Sequence, residues 1–140
     1  MTAERPFVKL TTRSEYALLA LIHLARHGRQ DYLSVDSIAQ ARRISPKFLE
    51  QILLTLKRAH YVRSMKGQRG GYQLARDPET INLAEIIRLL DGALAPTESV
   101  SLYFYQSTPI ESEEGLVRVF REIRNIVAEK LEKTTLADVM

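Results

Sequence analysis

The chain has no cysteine in its 140 residues. That excludes disulfides, thiolate metal sites and cysteine nucleophiles. No apolar run approaches the ~18 residues needed to span a bilayer. The N-terminal stretch MTAERPFVKL lacks the long apolar core of a signal peptide. A cytoplasmic location with no membrane partner is therefore expected. Internal repeats and low-complexity tracts are absent. So is any catalytic set: the sequence holds no nucleophile elbow, no phosphate loop and no paired His–carboxylate motif, and no enzyme is expected. His23 and His27 stand four apart, a spacing that can chelate metal, but no cysteine and no well-placed third ligand accompany them.

What the chain does have is charge of one sign gathered in one half. Residues 1–76 carry 14 Lys/Arg against 5 Asp/Glu, a net of +9, whereas residues 77–140 carry 6 against 12, a net of −6. Such asymmetry suggests a nucleic-acid partner for the N-terminal half. A basic surface without a partner is the plain alternative. The length allows one domain, or one domain with an appended element.

Helical periodicity dominates. Thr12-Arg13-Ser14-Glu15 fits a capping box and opens a mostly apolar helix that ends near His27-Gly28. Ser34 can cap a short helix from Val35 to about Ala41, and Arg42-Arg43-Ile44 makes a turn. Ser45 then caps a third helix with Pro46 at its favoured first position. Phe48, Leu49, Ile52, Leu53 and Leu56 form its apolar stripe, and Lys47, Glu50 and Gln51 fall on the other side. His60 is placed in the last turn of this helix. Tyr61-Val62-Arg63-Ser64 and Tyr72-Gln73-Leu74 read as two short strands around a basic, glycine-rich tip, Lys66-Gly67-Gln68-Arg69-Gly70-Gly71. Asn82-Leu83-Ala84-Glu85 caps a helix that Gly92 stops. Residues 93–112 show no clean period and carry the aromatic run Tyr103-Phe104-Tyr105. A last long helix covers about 113–133, with Leu116, Val119, Phe120, Ile123, Ile126, Val127 and Leu131 recurring at intervals of three and four. Glu113 and Glu114 suit its N-terminus, where the macrodipole favours acids. Such a seam needs a partner surface, and a second copy of the same helix is the expected one. A final short turn is expected over 135–138.

A short helix, a tight turn, a helix with a polar N-terminal face and a cationic hairpin beside it make up a winged helix-turn-helix. The expected fold is mainly α with a small β-hairpin, with the long C-terminal helix for dimerisation. The expected domains are 1–92 for DNA binding, 93–112 as a sensor-type loop, and 113–140 for dimerisation. Ser45, at the helix start, joins this face. Gln51 can pair with adenine, Lys47 with guanine or phosphate, and Glu50 can accept from cytosine N4. Lys66 and Arg69 are candidate minor-groove or phosphate ligands, helped by glycines that allow close approach. Arg13 could clamp a phosphate or simply sit at the surface.

The segments KLTTRSEYALLALIHLA, LSVDSIAQARRISPKFLEQILLTLKRAHYVRSMKGQRGGYQLAR and INLAEIIRLLDG resemble the Rrf2 family of bacterial transcription regulators over nearly the whole chain. The resemblance implies a winged-helix homodimer joined by the long C-terminal helix, acting on a pseudo-palindromic operator in double-stranded DNA. It implies DNA contacts at Lys47, Phe48, Glu50 and Gln51 and along the wing, including Lys66, Gln68, Arg69, Gly70, Gly71 and Tyr72. Many members bind an iron–sulfur cluster through three cysteines in the loop after the helix matching 82–91, some with a carboxylate at the position of Glu15. This chain departs from that pattern. Its loop holds Ser99, Ser101, Ser107 and Ser112, and serine is too weak a soft-metal ligand to hold a cluster. Ser99, Ser107 and Ser112 are the suspected former ligand positions. Two explanations stand: a branch that senses a small molecule or a protein partner without a cluster, or a cluster-binding protein whose cysteines were replaced by serine. Glu15 more simply serves the capping box. A protein-interaction winged helix is the other functional class, and the +9 half argues against it.

Overall fold

The computed structural model describes residues 10–96 and 98–140. The expectation about the N-terminal segment falls on residues 1–9, outside the described residues. The elements in chain order are α1 (Thr12–His27), α2 (Val35–Arg42), α3 (Pro46–Arg58), β1 (Val62–Met65), β2 (Gly71–Leu74), α4 (Leu83–Asp91), α5 (Glu114–Lys133) and α6 (Leu136–Val139). Short 3-10 turns occupy Pro78–Thr80, Glu98–Val100 and Pro109–Ser112. The fold is therefore mainly helical with one antiparallel hairpin, as expected. Among the described residues no helix is long and apolar enough to cross a membrane.

Contacts divide the chain into two compact units. One holds Glu15–Ile81 with Thr135–Met140, and the other holds Asn82–Thr134 with the described residues up to Ser14. The boundaries expected at 92 and 112 fall inside the second of these, which gathers α4, the loop and α5.

The first unit is the winged helix. Its buried side chains come from every element: Ala17, Ala20, Leu21 and Leu24 of α1, Ile38 and Ala39 of α2, Leu49, Ile52, Leu53 and Leu56 of α3, and Val62 and Leu74 of the hairpin. Each Leu or Ile contributes roughly 1.5–3 kcal/mol by leaving water. The α3 stripe predicted at three- and four-residue spacing is the one that is buried. β1 pairs with β2 from Val62 opposite Leu74 to Met65 opposite Gly71. Leu136 of α6 is fully buried, and its N–H donates to the Ile81 carbonyl at 2.9 Å.

In the second unit α4 packs against α5. The Asn82 side chain accepts from the Glu85 N–H and the Glu85 carboxylate accepts from the Asn82 N–H, both at 2.9 Å, so the predicted capping box is formed. The Leu83 N–H donates to the Thr134 carbonyl at 2.9 Å, and Arg88 pairs with Glu132 at 2.7 Å. The Arg124 guanidinium donates to the Val100 carbonyl at 2.8 Å, which ties α5 to the loop. Thr11 donates from both its backbone N–H and its hydroxyl to Asp91.

Several local expectations need correction. The cap of α1 is Thr11, whose hydroxyl accepts from the Ser14 N–H at 3.3 Å, so Thr12 is the first helical residue. Glu15 is exposed and has no part in the cap. Ser45 stands at the N-cap of α3 but makes no side-chain cap bond, and Glu113 likewise caps α5 by position only. His60 lies beyond α3 with φ 67°, in the left-handed region, because the helix ends at Arg58. The 93–112 segment is less irregular than its sequence: two 3-10 turns lie within it.

Candidate nucleic-acid interface

The turn between α2 and α3 is made by the backbone. The N–H groups of Arg43 and Ile44 both donate to the Ala39 carbonyl, with Arg43 at φ 56° and ψ 46°. This left-handed residue closes α2 abruptly, as a C-cap requires. Three residues later Pro46 starts α3. Its side chain fixes φ and its missing N–H costs nothing at a helix start.

α3 then splits cleanly by face. Leu49, Ile52, Leu53 and Leu56 are buried, while Lys47, Glu50, Gln51 and Leu54 are exposed along the opposite side. Leu54, 37% exposed, is the member of this face that polarity-based reading missed. Its position, seven residues after Lys47, was the available signal. Phe48 sits between the faces, half-buried, with its ring edge-on to Tyr16 at 5.5 Å and 81°. That contact sets how α3 leans on α1. Arg13 is exposed on the first turn of α1.

The wing tip presents Lys66, Gln68 and Arg69 to solvent. Gly67, at φ 109°, opens its turn, and the Gly70 N–H donates back to the Gly67 carbonyl at 3.0 Å. The two following glycines answer to the chain itself. A Cβ at Gly70 would lie 2.1 Å from the Met65 carbonyl oxygen. One at Gly71, where φ is 144°, would lie 2.1 Å from the Leu33 carbonyl oxygen. Leu33 adds an antiparallel bridge to Tyr72, with bonds of 2.8 and 2.7 Å, so Gly71 is where the wing crosses the preceding loop. Tyr72 is 8% exposed, a core side chain under the wing. Burial first, and then the Glu50 carboxylate, raise its phenol above the ordinary value.

The His23 and His27 rings meet at a tilt of 53° with centroids 4.8 Å apart. Arg42 donates from Nε to His23 Nδ1 at 3.3 Å. Burial, followed by the charges of Arg42, His27 and Arg26, holds the His23 imidazole below its ordinary 6.5. Among the described residues no group of three His, Asp or Glu side chains could hold a metal ion. The folded state thus resists a proton that the unfolded chain accepts. Stability is expected to decline as pH falls from about 6.5 toward the lower folded-state value. Thermal melts between pH 8 and pH 5 check this, and His23→Gln, which can still accept from Arg42, should flatten the dependence.

The loop serines do not fit an iron–sulfur cluster. Each hydroxyl has a local partner of its own. Ser99, 8% exposed, accepts from the Thr108 hydroxyl at 2.7 Å, and Ser101 accepts from the Phe104 N–H at 2.9 Å. Ser107 donates to Glu111 at 2.7 Å, and Ser112 donates to the Pro109 carbonyl at 3.0 Å. These are bonds a hydroxyl makes well, and a cluster needs thiolates. On α5 the repeating apolar residues are open: Leu116, Val119, Ile126 and Val127 are 47%, 50%, 69% and 38% exposed, and Phe120, Ile123 and Leu131 are half-buried. Ala128 is the one buried residue of that helix.

Comparison with known proteins agrees with this arrangement. Residues 10–140 match the Rrf2 family, described as iron-dependent transcriptional regulator. The chain is 35% identical over 133 residues to the HTH-type transcriptional regulator CymR of Bacillus subtilis, covering 94% of this chain and 89% of that protein. The solved structure of the same protein, described as the global cysteine regulator, superposes with a TM-score of 0.75 over 94% of this chain and 95% of that one, at 36% identity. The structure of IscR from T. potens matches with a TM-score of 0.66 at 32% identity, over 94% and 85% of the two chains. A winged helix with an open polar face on α3 and this likeness along its length lead to one assignment: the chain belongs to the Rrf2 family and is a transcription regulator.

Proposed function

We propose that the protein binds duplex DNA as a homodimer, with α3 in the major groove and the wing tip on the adjacent backbone or minor groove. The observation that carries this reading is the exposed face of α3. Among the described residues the side chains of Lys47, Glu50 and Gln51 make no hydrogen bond or ion pair, and the Lys66–Arg69 tip is equally exposed. Phosphate contacts from Lys47, Lys66, Arg69 and Arg13 supply affinity. Gln51 and Glu50 read base edges, and Leu54 is suited to a thymine methyl. Phe48, Gly70, Gly71 and Tyr72 act behind this surface, by holding helix and wing in place.

The exposed apolar seam of α5 supports a two-fold dimer. Two-fold symmetry in turn asks for a pseudo-palindromic operator. The protein works in the cytoplasm, where its DNA is. The signal enters through the 93–112 loop without a cluster. The local bonding of Ser99, Ser107 and Ser112 favours serine as the functional residue there, and a small molecule or a protein partner as the effector.

Selection from a pool of random duplexes tests the site. Gln51→Ala should relax preference at one base position of each half-site, at a cost of about 1–3 kcal/mol on the best sequence. Lys47→Ala should weaken all sequences more evenly. A Gln51→Ala variant with unchanged preference would contradict the placing of α3.

A further inference from the structure

An open, polar groove of about 260 Å³ lies at the base of the hairpin, lined by Arg29, Arg63, Gln73, Arg76 and Asp77 among others. It is a different surface from the wing tip. Arg63, the second residue of β1, stands three residues before Lys66, roughly 10 Å at ~3.3 Å per residue. The groove has a built interior. Gln73 is 6% exposed, an amide buried in a strand whose neighbours Tyr72 and Leu74 are core residues. Its Oε1 accepts from Arg63 Nε at 2.9 Å, and its Nε2 donates to the Arg29 carbonyl at 3.3 Å. One buried amide thus fixes both an arginine head and the backbone that carries a second arginine. A third guanidinium, that of Arg76, lies 4.4 Å from the Tyr61 ring centroid. Against these three cations stands one carboxylate, Asp77, paired with Arg29 at 3.2 Å. Among the described residues Arg63 is bonded through Nε, and its side chain is exposed at the groove's lining.

Preorganised guanidiniums with spare planar donors suit a tetrahedral oxyanion. We propose that this groove is a phosphate-binding site, with Arg63 as its principal ligand and Arg29 and Arg76 completing the field. The phosphate belongs either to a small phosphorylated compound or to duplex DNA beyond the stretch held by α3 and the wing tip.

The probe is inorganic pyrophosphate, titrated into the full chain at constant ionic strength and followed by NMR of arginine Nε–H and backbone amides. Saturable shifts are expected at Arg29 and Arg63 and over residues 73–77. Arg63→Ala, which also removes the donor to Gln73 Oε1 and should therefore lower the melting temperature somewhat, is expected to weaken binding about tenfold or more in protein whose circular dichroism shows it still folded. A parallel salt titration of duplex binding separates the sources. If Arg63→Ala also lowers the salt slope by about 1, the phosphate is the DNA's. If pyrophosphate binding is lost and the slope stays, the ligand is a free compound. Pyrophosphate shifts that do not saturate, or that survive in Arg63→Ala, together with an unchanged slope, overturn the site.

Discussion

Replacing Gly71 with alanine is expected to unfold the hairpin, at a cost of about 3–5 kcal/mol, as do other substitutions that force a backbone clash. Two penalties combine there. An L residue at φ 144° is strained, and its Cβ would meet the Leu33 carbonyl oxygen at 2.1 Å, the Leu33 carbonyl carbon at 2.3 Å and the Ser34 nitrogen at 2.7 Å. All three are backbone atoms, so no rotamer relieves them. The bridge from Leu33 to Tyr72 must break for the chain to yield. Gly67→Ala is the control. It carries positive-φ strain, but its Cβ meets nothing within 4 Å, so it should cost about 1 kcal/mol. Thermal and urea unfolding of the two variants reads the difference. Equal losses would mean that torsion alone sets the requirement for glycine.

The second large effect is expected at α5. Val119→Glu combined with Ile126→Glu places charges on two side chains that are 50% and 69% exposed in the single chain. The fold of one protomer should therefore survive, and circular dichroism should be unchanged. In a dimer the same positions would be buried, and unpaired carboxylates there are costly. The variant should sediment as a monomer. Its operator affinity should fall by about 10²–10⁴-fold as the two half-sites lose their linkage. A double mutant that stays dimeric in analytical ultracentrifugation would move the dimer contact away from this seam.

Much of the winged helix was legible because its signals are local. The burial of Leu49, Ile52, Leu53 and Leu56 follows from their spacing, and in the second unit the Asn82–Glu85 cap follows from residue type and separation, whereas the turn expected over 135–138 is the capped start of a helix, α6. The failures share a cause as well. Thr11 and Thr12 are chemically equal cap candidates, and the choice was made by a tertiary partner eighty positions away, Asp91. The glycines at 70 and 71 read as room for phosphate; each also answers to the chain's own backbone, Gly70 to the Met65 carbonyl inside the hairpin and Gly71 to Leu33, whose crossing there nothing in the sequence announces. Tyr72 read as a contact residue and is core for the same reason. Gln73 is the clearest case. A polar residue in a strand suggests solvent, and only the fold places it beneath two arginines.

The central claim is that α3 and the wing tip together hold duplex DNA. It is tested most directly by a salt titration of duplex binding by the full chain, beside Lys47→Ala with Arg69→Ala. The wild type should lose affinity steeply and linearly on a log–log scale as counterions are released. The double variant should bind more weakly, with a slope shallower by about 1 for each phosphate contact removed. Equal slopes and equal affinities for the two proteins would contradict the account.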